Sequence, residues 1–230
     1  MPQNLLILII LLFLQAITIF FLSRKNFNHF FYLFRKFFHN EKTVYVLVSL
    51  VFLPGTIIHE FSHFFAAMIL FLPVKDIQIF PKFEEGQIKL GHVLYVKKDF
   101  LRGILVGIAP FFGALLFFFV LSFFNLFPNK NLGLNIALIY LIFTISSVMF
   151  FSKQDLVDVV YLIPFVLFLL ILGYIFQPFL PSFNLSHINK IFTGLEFFLT
   201  NVNQYFFFSI IIHLFLILIF FFINQNRYKI

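Results

Sequence analysis

The sequence predicts an all-α polytopic membrane protein of about six transmembrane helices, with a small β-hairpin between the second and the third. Three observations carry that expectation. Of 230 residues, 62% are hydrophobic and only 11% are charged, far from the balance of a soluble domain. The apolar residues gather into runs of roughly 18 or more, the length that crosses a hydrocarbon core of about 30 Å. The remaining polar residues collect between those runs, most densely over residues 73–102.

Composition also narrows the chemistry. The 43 Phe residues, with no Trp, fill lipid-facing positions that demand no hydrogen-bond partner. The net charge of +7 comes from Lys and Arg in short connections, where they anchor helices and set topology, so nucleic acid is not an expected partner. Without cysteine there is no disulfide and no thiolate ligand, and any metal must be held by His and carboxylates.

The first run, residues 5–22, is interrupted only by Gln15 and Thr18. It lacks a basic leader and a small-residue cleavage site and reads as a retained span. Residues 23–43 carry Arg24, Lys25, Arg35, Lys36 and Lys42 among aromatic side chains. They read as an amphipathic connector along the headgroups, with His29 and His39 solvated. The second run, 44–72, is longer than a straight span needs and holds Pro54 and Gly55 near its middle, which predicts a kink.

Residues 75–80 and 87–96 read as two short strands. Ile88, Leu90, His92, Leu94 and Val96 share one parity. This hairpin is either a surface connection or an edge that pairs with an extended peptide. The third run, 103–124, contains Gly107, Pro110 and Gly113, small residues that let membrane helices approach closely. The fourth, 134–151, leads straight into Asp155 and Asp158. A fifth run, 156–176, holds Pro164, and a sixth, 205–223, holds His213; the connection 177–204, with His187, shows no recognisable chemistry. The chain thus divides into a first span and connector (1–43), a core (44–176), and a connection with a terminal span (177–230).

Within the second run stand His59, Glu60 and His63, an H-E-x-x-H pattern. Residues four apart share one face of a helix, so both imidazoles reach one zinc ion with Glu60 beside its open position as general base. A third ligand must come from elsewhere. Alternating spans return the fourth run to the hairpin's side, which brings Asp155 near; Asp158 and His92 arrive on that side too and compete. Asp155 also suits a helix N-cap, Asp158 a first helical turn, and the lone His213 a packed or pore-facing position. Ionisable groups at such depth are expensive and mark functional candidates.

On these residues the chain resembles a known family. HEFSHFFAAMI resembles the first motif of the site-2 protease family of intramembrane zinc metalloproteases, and VMFFSKQDL is similar to the Ser-x-x-Asp-Leu third-ligand motif of its small bacterial members. LGHVLY and GIAPFFGALL are similar to the segments between. The resemblance spans about residues 44–156. It implies zinc ligands at His59, His63 and Asp155, with Glu60 as catalytic base. It also implies a zinc endopeptidase that cuts in or near transmembrane segments of membrane-protein substrates, from the bacterial inner membrane, with the zinc nearer the cytosol. Lys and Arg number nine on the hairpin's side and seven on the other, a slight preference for a cytoplasmic hairpin. The alternative from another class is a catalytically silent membrane scaffold of the same fold that binds partner helices.

Overall fold

The structure, a computed structural model, describes residues 3–80, 82–84, 87–89, 91–150 and 185–225. Helix α1, Gln3–Arg35, contains neither Gly nor Pro, and nothing in its sequence stops it at the end of the apolar run. Most of the connector expected along the headgroups, residues 23–35, is therefore the C-terminal part of α1. The helix ends where Arg35 pairs with Glu41 at 3.3 Å and donates to the His39 carbonyl. His29, expected in solvent, is half-buried and stacks on Phe220 with ring centroids 5.3 Å apart.

Helix α2, Glu41–Ile69, starts at Asn40, whose side chain accepts from the Lys42 N–H, and continues through Pro54. It stops in a left-handed cap. Phe71 has φ 55°, the Leu72 N–H bonds to the Ala67 carbonyl at 2.9 Å, and Pro73 follows. The hairpin comes next as two antiparallel ladders. Strand β1, Val74–Gln78, pairs with β4, His92–Tyr95, and β2, Lys82–Glu84, pairs with β3, Gln87–Lys89. Asp99 then caps α3, Phe100–Gly107, which is followed after Ile108 by α4, Ala109–Phe123, at an angle of 41°. Asn131 caps α5, Leu132–Val148, and α6 runs from Leu185 to Gln225.

Among the described residues, α1, α2 and α6 are long and apolar enough to cross a membrane, and the bent pair α3 and α4 makes a fourth span if taken together. Helix α5 has 17 residues and is shorter. This is fewer than the six spans expected, and the fifth run, 156–176, lies outside the described residues. Direction differs as well. Contacts between α1 and α6 ascend together, Leu8 with Asn203, Asn26 with His213 and His29 with Phe220, so these helices run parallel. Six alternating spans would make the first and last antiparallel. Residues 185–204, expected as connection, are helical because their polar groups find partners: Asn203 donates to the Leu8 carbonyl at 3.1 Å and Asn201 accepts from Ser122 at 2.8 Å.

The chain is a mostly helical membrane protein, its long helices turning Phe, Leu and Ile side chains outward. One core joins α1, α4, α5 and α6; a second joins Val44, Val48 and Phe52 of α2 to Phe143 and Val148 of α5. A third, Ala67, Leu72 and Val106, ties the end of α2 to α3 beneath Val74 and Tyr95 of the hairpin.

Candidate metal centre

Three neighbours fix the α2 turn that carries the motif. Helices α3 and α4 run against α2 in the opposite sense, Arg102 near Leu70, Val106 near His63 and Gly113 against Ser62. Helix α5 runs with it. Tyr140 donates to the Val51 carbonyl, Phe143 packs on Phe52, and Gly55 lies against Thr144 and Val148. A Cβ at Gly55 would stand 2.7 Å from a Val148 methyl, so glycine there lets the backbones touch. One turn beyond Gly55 comes His59, while one turn beyond Thr144 comes Val148, two residues before the described stretch ends at Phe150. The fourth run thus returns toward the hairpin, as its alternation predicts.

His59 and Glu60 are buried and His63 is half-buried. The two Nε2 atoms lie 3.2 Å apart, with ring planes at 83°. With Zn–N bonds of about 2.0–2.1 Å, two nitrogens at that separation subtend about 100–106° at a shared ion, close to a tetrahedral angle. The pair fits a zinc edge. The Nδ1 of His63 sits 2.8 Å from the Val106 carbonyl. A carbonyl only accepts, so Nδ1 carries the proton, and in the neutral imidazole this leaves Nε2 with the lone pair, the form that binds a metal.

The carboxylate of Glu60 faces the hairpin. A Cβ at Gly91 would fall 2.8 Å from Glu60 Cγ and 2.9 Å from Oε1, so strand backbone lies directly on this side chain. Any larger residue there would displace the Glu60 side chain. The hairpin is therefore part of the site's wall, not a remote connection.

The third ligand divides the expected residues. His92 points its Nε2 at Asp76, 3.3 Å away within the hairpin, and among the described residues no group of three metal-binding side chains is gathered. Asp155 and Asp158 lie outside the described residues. His213 is fully buried and packed: Nδ1 accepts from Asn26 at 2.9 Å and Nε2 donates to Ser146 at 3.2 Å, so both ring nitrogens are taken. Sequence reasoning missed Gly91 and the Val106 carbonyl. A backbone oxygen has no side-chain signature, and Gly91 reads as one more hairpin glycine until the fold sets it on Glu60. Comparison with family models, curated proteins and solved structures finds no match.

Proposed function

We propose that this chain is a zinc-dependent intramembrane endopeptidase, hydrolysing peptide bonds in or next to transmembrane segments of membrane-protein substrates. One observation carries the reading: two imidazole Nε2 atoms 3.2 Å apart on one helical face, next to a buried glutamate. The resemblance to site-2 proteases supports it and adds Asp155 as third ligand, in a multi-pass protein of the bacterial inner membrane.

His59 and His63 would hold the ion through Nε2, the atoms that lie 3.2 Å apart. When bound, zinc supplies a Lewis acid that polarises a carbonyl and yields a competent water nucleophile near neutral pH. Glu60 takes the proton from water at its carboxylate and returns it to the leaving nitrogen, a relay that suits a base buried away from bulk solvent. The hairpin backbone covers one side of the Glu60 side chain against bulk solvent and offers strand edges on which an unwound substrate segment can lie extended.

The test is direct. Purified protein is expected to carry about one zinc per chain, and Glu60→Gln to retain that metal while losing cleavage of a membrane-protein substrate. Cleavage at the wild-type rate by Glu60→Gln removes the mechanism. Zinc without cleavage in the wild-type protein leaves the silent scaffold instead.

A further inference from the structure

We infer that Pro110 is a positioning residue for His63: by withholding an N–H from the Val106 carbonyl, it leaves that oxygen to accept from His63 Nδ1. The inference rests on the metal-centre reading above and deepens it.

In an unbroken helix the Val106 carbonyl would accept from the backbone N–H four residues on. That residue is Pro110, which has no N–H and whose ring crowds the carbonyl four residues before it. The backbone bonds follow this rule. Ile108 bonds back to the Ile104 carbonyl at 3.0 Å, and the next ladder starts at Ile108, whose carbonyl accepts from Phe111 at 3.1 Å and Phe112 at 3.4 Å. The axis bends by 41° across the break. Val106 itself is fully buried against Ala67 of α2 and Leu72 just beyond its end, and its carbonyl faces His63 on that helix. The Ile108 N–H also turns to that oxygen, but a carbonyl has two lone pairs, and the one that an unbroken helix would fill from residue 110 needs a donor that neither lipid nor an apolar core supplies.

His63 supplies it from 2.8 Å. The consequence lies at the other end of the ring. With Nδ1 protonated and anchored, Nε2 presents a lone pair toward His59 Nε2. An imidazole protonated at Nε2 would present a hydrogen there and could not bind the ion. Outer partners of metal-bound histidines set both tautomer and ring orientation, and their loss typically costs about 10–100-fold in metal affinity.

The competing account of Pro110 is ordinary: proline suits the first turn of α4 and shapes the bend. Two variants separate these roles. Pro110→Ala restores the N–H, whereas lactic acid at position 110, joined through a backbone ester, has the same methyl side chain and no N–H. Side-chain 15N resonances of His63 are read in metal-free protein, and zinc affinity by chelator competition. The expected result is a bare Nε2 in the wild-type and ester proteins, a shift toward protonated Nε2 in Pro110→Ala, and zinc affinity about 10–100-fold weaker in the alanine variant alone. A wild-type tautomer and affinity in Pro110→Ala overturns the inference, as does an ester variant that falls together with the alanine. A wild-type protein that binds no zinc overturns the metal reading separately, since the tautomer comparison needs no metal.

Discussion

Replacing Gly91 by alanine should cost far more in catalysis than in stability. The added Cβ would lie 2.8 Å from Glu60 Cγ, 2.9 Å from Glu60 Oε1 and 3.0 Å from the Gln78 carbonyl oxygen. Carbon atoms rest at about 3.5–4.0 Å, so the contact with Cγ is short by about 0.7–1.2 Å. Two of the three opposing atoms belong to a side chain that can rotate away, and only one is backbone. Relief therefore comes mainly by turning Glu60 aside. The stability cost belongs at the low end for overpacking, about 1 kcal/mol. The base, however, moves by about 1 Å, a displacement worth about 100-fold in rate. None of these three nearest atoms belongs to His59 or His63, so zinc content is expected to stay at the wild-type level. The assay measures kcat on a membrane-protein substrate in proteoliposomes alongside zinc content and unfolding midpoint. Wild-type kcat in Gly91→Ala would show that the hairpin does not set the position of Glu60. Loss of zinc would show that the strand supports the ligands and not the base.

Two further outcomes are expected. Asp155→Ala should lower zinc content and Asp158→Ala should not, read by metal analysis of the purified variants; the reverse pattern would assign the third ligand to Asp158. Asn26→Leu removes the donor to both His213 Nδ1 and the His213 carbonyl, and should destabilise the protein by about 1–2 kcal/mol in a membrane unfolding assay, with zinc content unchanged.

The motif was legible because it depends on local spacing: His59 and His63 share a face wherever a helix forms there. The hairpin was legible for the same reason and pairs as β1 against β4, although Tyr95 packs on the core and Leu94, of the expected apolar parity, is exposed. Helix lengths were not. The polar stretches of residues 23–35 and 185–204 look like connections when hydropathy alone is read. Yet each stays helical, since a helix satisfies its own backbone and Asn26, Asn201 and Asn203 find partners on other helices. Such pairings join residues up to 195 positions apart, beyond any local pattern. The parallel course of α1 and α6 follows from them and has no counterpart in the order of apolar runs.

Burial by itself does not separate the histidines of the proposed metal site from the packed histidine in this protein. His213 is the more deeply buried, at 0% exposure against 6% for His59. What differs is where the ring nitrogens are directed. In His213 the Asn26 amide donates to Nδ1, Nε2–H donates to the Ser146 oxygen, and the Ser146 hydroxyl donates on to the Phe143 carbonyl, which closes the chain. Every polar atom of that ring is used to hold α1, α5 and α6 together, as lipid requires of buried polar groups. In His63 the tautomer is the opposite one: Nδ1–H is anchored to Val106 and the lone pair of Nε2 is turned to a second imidazole. That lone pair faces His59 Nε2 at 3.2 Å, close enough to accept a hydrogen bond from it or to share a cation with it. The anchor behind His63 thus leaves its Nε2 as the acceptor, which is the form the proposed metal site requires.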